Sequence, residues 1–165
     1  LILDNSKKII KIKKGVIITE NRLGIITANA GIDQSNINKK DFCLLLPLNP
    51  NDTARKISQA IYQETGKKLG IIISDSVGRP WRHGLTQISI GSFGISPIKK
   101  YNRDLFKNNL YDTEVPIVDE IASAAGILME KDIGIPVVLI KGYNYMKSNK
   151  DSNILLRSGE NDIFK

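Results

Sequence analysis

Asp75, Ser76, Arg79 and Arg82 lie close together in Ser74-Asp75-Ser76-Val77-Gly78-Arg79-Pro80-Trp81-Arg82-His83-Gly84, with the only Trp and the only His of the chain. A carboxylate offers hard oxygen to a divalent cation, and the neighbouring hydroxyl adds a second, neutral oxygen. The two guanidinium groups present planar forks suited to phosphate or carboxylate. An acid for a metal beside cations for an anion is the inventory of a site that handles phosphorylated substrates. The same stretch is also ordinary turn chemistry, because Ser, Asp, Gly and Pro each favour turns for local reasons.

A second acidic segment, Asn29-Ala30-Gly31-Ile32-Asp33-Gln34-Ser35-Asn36, weighs on that choice. One carboxylate from each of two strand ends is a common way to hold Mg²⁺ or Mn²⁺ while leaving room for phosphate oxygens. Asp33 and Asp75 are the pair. Asn36 adds an amide able to read a base, a ribose or a phosphate. Taken alone, Asp-Gln-Ser-Asn is an Asx turn.

The elements that must hold these residues follow from periodicity. Ile71-Ile72-Ile73 reads as a buried strand, entered at Leu69 and breaking into a turn at Ser74. Val16 to Thr19, Gly24 to Ala28, Phe42 to Leu46, Gln87 to Gly91 and Ile135 to Lys141 also read as strands. Asn49 caps a helix with Pro50 at its first position, and Ala54, Ile57 and Ile61 form its apolar face as far as Gly66. A second helix is expected over Val118 to Glu130, with Ile121, Ala124, Ala125 and Leu128 at helical spacing. Without repeats or low-complexity linkers, residues 1–165 read as a single domain that combines strands and helices, α/β or α+β.

Composition excludes several classes. Hydrophobic residues make up 41% and charged residues 25%, ordinary for a globular domain. No apolar run approaches the ~18 residues that span a bilayer. The one cysteine, Cys43, excludes an internal disulfide and fits a reducing cytoplasm; its apolar run suggests a buried thiol. The formal charge of +7 comes from scattered basic pairs such as Lys7-Lys8 and Lys67-Lys68, without interleaved aromatics. That pattern argues for a solvated surface attracting anionic substrates and against nucleic acid. Glu64-Thr65-Gly66-Lys67-Lys68 lacks the spacing of a phosphate-binding P-loop. Asp119 and Glu120 are ligand candidates by type, but at a helix start they equally favour the macrodipole. Trp81 either stacks on a substrate ring or packs to lock its loop.

The two acidic segments together resemble the coenzyme F420-0:L-glutamate ligase family, the γ-glutamyl ligases of the deazaflavin coenzyme. Further matching blocks follow in the same order: Ile88-Ser89-Ile90-Gly91, Asp104-Leu105-Phe106, Asp119 to Ala125, and Gly134-Ile135-Pro136-Val137-Val138. The resemblance runs from about Lys11 to the C-terminus. It implies the family's fold, a mixed β-sheet with packed helices. It also implies a family N-terminal part before Leu1, so that the chain is the C-terminal two-thirds of the ligase domain.

The activity implied is GTP-dependent amide formation between L-glutamate and coenzyme F420-0 through an acyl phosphate. Two divalent cations, Mg²⁺ or Mn²⁺, are implied, with K⁺ as an additional ion. By resemblance Asp33 and Asp75 hold one metal and Ser76 contributes to the second. Asn36 matches a nucleotide contact, and Met129-Glu130-Lys131-Asp132-Ile133-Gly134 matches a nucleotide loop. In that loop the position of a second-metal ligand falls on Lys131, which cannot ligate while protonated, so Glu130 is the expected substitute. Arg79, Trp81 and Arg82 are the expected substrate contacts, and His83 is a rim residue. A homodimer is also implied, and the apolar run Leu1-Ile2-Leu3 invites pairing with another chain. The alternative reading is a non-catalytic or differently specific remnant of this fold that dimerises and binds anions.

Overall fold

Asn49 and Gly66 bound the longest helix as the sequence predicts. In the computed structural model of the chain, which describes residues 1–157 and Asp162, helix α1 spans Pro50–Thr65. The Asn49 side chain accepts the Asp52 N–H at 3.0 Å, satisfying one of the orphan donors of the first turn. Gly66 closes the helix at φ 68°, its N–H reaching the Tyr62 carbonyl at 2.8 Å. Ala54 and Ser58 are buried on the inner face, and the Ser58 hydroxyl donates to the Leu69 carbonyl at 2.9 Å. That bond fixes the chain just before it enters its central strand.

All pairings between strands are antiparallel. Strands β1 (Ser6–Lys13), β2 (Val16–Asn21) and β3 (Ile26–Ala28) form one sheet in that order. Strands β4 (Ile71–Arg79) and β5 (Arg82–Phe93) form a long hairpin. A short pair, β6 (Lys99–Lys100) and β7 (Glu114–Val115), precedes helix α2 (Ile117–Met129). Both helices pack on β5. Ile95, Ile117 and Val118 form the buried core cluster, with Ile72, Val115 and Ile121 against it. The architecture is α+β.

Several elements differ from the sequence expectation. The strand beginning at Ile71 does not end at Ser74; it runs on to Arg79, so Asp75 and Ser76 are mid-strand residues. Cross-strand pairing with Leu85 to Ser92 outweighs the turn preference of Ser-Asp-Ser, and only Pro80-Trp81 makes the turn. Phe42 to Leu46 forms no strand, only an isolated bridge between Leu44 and Asp33. Cys43 there is a free thiol of intermediate exposure, not a buried one. Ile135 to Lys141 is not a strand either; Val137 is 78% exposed and Leu139 63%. In α2 the buried stripe is Val118, Ala122 and Ala125, while Ala124 and Leu128 face outward, a rotation from the expected face.

Buried hydroxyls tie β5 to its neighbours. Ser152 Oγ lies 2.7 Å from Ser89 Oγ and donates to Ser92 Oγ at 2.9 Å. Asn51 Oδ1 accepts the Ser92 N–H at 2.8 Å, locking the start of α1 to β5. Asp119, in the first turn of α2, accepts the Ser89 N–H at 2.8 Å. Its carboxyl therefore anchors α2 to the hairpin, and burial pushes its pKa above the usual value.

Candidate functional site

Three consecutive left-handed residues deliver Asp33 to the site. Asn29 (φ 50°), Ala30 (φ 59°) and Gly31 (φ 73°) turn the chain sharply after β3. For the two non-glycine residues this conformation is strained, and such strain clusters where surrounding structure over-determines the backbone. Asn29 Oδ1 accepts the Ile17 N–H at 3.2 Å, and a Cβ on Gly31 would lie 2.7 Å from Leu46 Cδ1. Asp33 is then held by two backbone bonds to Leu44, at 3.1 and 2.8 Å. Its carboxylate accepts the Ser35 N–H at 2.7 Å and the Ser35 hydroxyl at 2.6 Å. Those bonds stabilise the ionised form and hold its pKa below the usual carboxylate value.

Asp75 arrives from the other side on β4. The β4–β5 register shifts between Ile73 and Ser74, just before it, where Ile90 of β5 has no partner in the ladder. Burial pushes the Asp75 carboxyl up; its bond from the Ser76 N–H at 2.8 Å opposes this, and the charge of Asp33 adds to it. The charge of Asp33 thus bears on Asp75, whereas the Asp33 carboxyl is governed by its bonds from Ser35. Lys131 lies within electrostatic reach of both and favours their ionised forms.

Ser76 is the meeting point of three elements. In the β4–β5 register it stands opposite Gln87, whose Nε2 donates to Ser76 Oγ at 3.0 Å. The Lys131 ammonium, from the loop after α2, donates to the same oxygen. The Lys131 carbonyl in turn accepts Asn36 Nδ2 at 2.8 Å, joining that loop to the one carrying Asp33. Asn36 therefore holds a backbone within the site. Gln87 was not singled out by type, although a residue directly across from Ser76 is what strand pairing puts beside it. Its carbonyl accepts the Ser123 hydroxyl at 2.8 Å, so α2 supports it.

Asp75, Ser76 and Gln87 form the polar end of a groove of about 510 Å³ between α1, β4, α2 and the segment from Pro136 to Ile140. Its walls are apolar, including Ile57, Ile61, Ile73, Ala125 and Val138. Met129 lines it, whereas Glu130 and Gly134 do not. Glu130 ends α2 at φ 47°, ψ −151° and is exposed. Among the described residues no group of three or more His, Cys, Asp and Glu side chains is arranged to hold a metal.

The arginines are farther away than their sequence spacing suggests. Arg79 and Arg82 pair across the hairpin tip, with Pro80 and Trp81 between them. At the usual strand rise, Arg79 stands about 13 Å along β4 from Asp75. Pro80 followed by Trp81 at φ 60° is the pattern of a type II turn, and Trp81 is 87% exposed. Arg79 Nη2 donates to the His83 carbonyl at 3.3 Å, and neither arginine forms an ion pair among the described residues. The carboxylate pair and the arginine pair are two regions of one hairpin.

The comparisons with known proteins agree with one another. The family described as F420-0:Gamma-glutamyl ligase matches residues 1–142. The coenzyme F420:L-glutamate ligase of Methanocaldococcus jannaschii is 47% identical over 168 residues, covering 100% of this chain and 67% of that protein. Its counterpart in Methanothermobacter thermautotrophicus is 40% identical over 169 residues, with 99% of this chain and 67% of that protein covered. The ligase of the same name in Methanococcus maripaludis is 40% identical over 168 residues, again 100% and 67%.

Proposed function

The chain belongs to the F420-0:Gamma-glutamyl ligase family, a family of ligases, and on that premise we propose that it joins the amine of L-glutamate to a carboxylate of coenzyme F420-0 at the expense of GTP. Amide formation from a free carboxylate fails in water because oxide is a poor leaving group. Activation solves this: a substrate carboxylate oxygen attacks the γ-phosphorus of GTP, and GDP leaves with the electron pair. The glutamate amine then attacks the acyl carbon, inorganic phosphate leaves, and the amine loses a proton to solvent. The observation that carries the reading is that Asp75 and Ser76 form the polar end of an apolar groove, with the Lys131 ammonium bonded to Ser76 and the charge of Asp33 bearing on Asp75.

The two acids fit a divalent cation. Bonds from Ser35 hold the Asp33 carboxyl below the usual carboxylate value, and Asp75 carries a burial cost that a cation would relieve. Bound there, Mg²⁺ or Mn²⁺ would offset charge on the phosphates. The chain's own groups orient the rest: Lys131 offers positive charge to a phosphate, Asn36 braces its loop, and the groove walls exclude water from one side.

The hairpin tip takes the anionic substituents of the acceptor or nucleotide. Arg82→Ala is expected to raise the apparent KM for the anionic substrate about tenfold, the scale of one lost charge-assisted pair. The melting temperature should move by no more than about 2 °C, since the residue is exposed. Lys should restore only part of the loss because it lacks the fork. Unchanged kinetics with a lowered melting temperature would make the residue structural.

A homodimer is part of the same reading. Ile9, Ile10 and Ile12 on β1 are among the exposed apolar side chains. Light scattering should give twice the chain mass at micromolar concentration; a monomer throughout that range would overturn this part. No helix among the described residues is long and apolar enough to cross a membrane.

A further inference from the structure

We propose that Lys131 is a built-in positive charge occupying the seat at Ser76, so that each chain takes one divalent cation, at Asp33 and Asp75, and uses Ser76 and Lys131 to receive an anion. The inference rests on the cation reading above and deepens it. It departs from the expectation that Ser76 helps hold a second metal with Glu130.

The argument begins with lone pairs. A serine hydroxyl oxygen has two acceptor sites and one O–H to give. Gln87 Nε2 and the Lys131 ammonium both donate to Ser76 Oγ. Its acceptor capacity is used, and what remains is the O–H, which suits an anion and not a cation. The ammonium also repels a divalent ion brought to the same oxygen, at a separation where charges interact strongly. Glu130 is exposed at the end of α2, and no group of three or more His, Cys, Asp and Glu side chains among the described residues is arranged to hold a metal.

Charge balance points the same way. By formal charge, Asp33 and Asp75 against Lys131 leave a single net negative charge. One divalent cation turns this to a single positive charge, suited to a phosphate, whereas a second would crowd three positive charges into the site. The backbone is built to keep Lys131 in place. Glu130 stands at φ 47°, ψ −151°, a conformation costly for a side-chain-bearing residue, and turns the chain as α2 ends. Asn36, itself at φ 53°, clamps the next carbonyl at 2.8 Å. Strain on one side and a clamp on the other fix the ammonium over Ser76.

The test counts Mn²⁺ bound to the whole chain by electron paramagnetic resonance, with metal alone as the probe. Wild type should bind one Mn²⁺ per chain, Asp33→Asn and Asp75→Asn none, and Lys131→Glu two. A merely structural lysine would lose sites on substitution and would not gain one. In parallel, inorganic pyrophosphate titrated calorimetrically without metal should bind at least about tenfold more weakly to Lys131→Gln, with Lys131→Arg retaining most of the affinity. Two Mn²⁺ in wild type, one in Lys131→Glu, or undiminished pyrophosphate binding to Lys131→Gln would each overturn the proposal. No Mn²⁺ in wild type would instead overturn the cation reading on which it rests.

Discussion

Asp75→Asn is expected to abolish divalent-cation binding and, in metal-free protein, to raise the melting temperature by a few degrees. Both effects come from one feature. Burial pushes the Asp75 carboxyl above the usual carboxylate value, with the charge of Asp33 adding to the shift. A group whose folded pKa is raised favours the folded state fully below the unfolded value, and that contribution is lost as pH rises through the folded pKa. At neutral pH the ionised carboxylate is therefore a cost, and the isosteric amide removes it while still accepting the Ser76 N–H. The gap between variant and wild type should close as pH falls toward 3.8. Cation affinity should drop more than about 100-fold, beyond the 10–100-fold that losing an outer partner brings.

Asp33→Asn provides the contrast. Its carboxyl pKa is lowered, first by the Ser35 hydroxyl and then by the Ser35 N–H. Its contribution is present above the unfolded pKa and lost as pH falls through the folded one. At neutral pH this substitution should lower the melting temperature slightly while also abolishing cation binding. Opposite signs on stability with the same loss of binding would mark Asp75 as the residue held at a cost for function. Calorimetry at pH 7 and pH 4 reads both signs. A fall in melting temperature for Asp75→Asn at pH 7 would overturn the account.

What the sequence made legible were features decided locally. The Asn49 cap, Pro50 and the left-handed Gly66 specify α1 from neighbouring residues alone, and its boundaries match. The two acids were readable as candidates from their residue types beside apolar strand patterns, although Asp75 stands within β4 and not beyond its end. Features decided by distant partners were not legible. Ser74-Asp75-Ser76 has turn chemistry, yet Leu85 to Ser92 supply a long antiparallel partner that keeps it extended. Ile135 to Lys141 has the composition of a buried strand, but no strand pairs with it among the described residues. The stripe on α2 was misread because Gly126 and Ser123 turn toward Gln87, a contact visible only once β5 is in place. Lys131 looked unfit for a metal site, and its geometry gives the reason: the ammonium itself sits on Ser76.

Two glycines where the helices meet the hairpin, Gly91 in β5 and Gly126 in α2, separate stability from site geometry, and Gly91→Ala should have the largest stability effect of any single methyl added here. A Cβ at Gly91 would lie 2.5 Å from the Pro50 carbonyl carbon and 2.7 Å from the Asn51 nitrogen. Backbone at the capped start of α1 cannot give way locally, since Asn51 is already bonded to β5 through Ser92. The helix must move, at a cost of about 3 kcal/mol or more, the upper end for overpacking. That corresponds to a fall of roughly 6–12 °C in melting temperature for a chain of this size. Gly126→Ala meets a side chain: its Cβ would lie 2.6 Å from Gln87 Cγ. Gln87 can rotate away, and alanine gains about 1 kcal/mol over glycine in a helix interior, so the net stability change should be small. Rotation takes Nε2 off Ser76 Oγ and frees one of its lone pairs. Pyrophosphate binding should weaken while the melting temperature holds. If Gly91→Ala melted like wild type, the close packing of α1 on β5 would be wrong. If Gly126→Ala left anion binding intact, Gln87 would have no part in orienting Ser76.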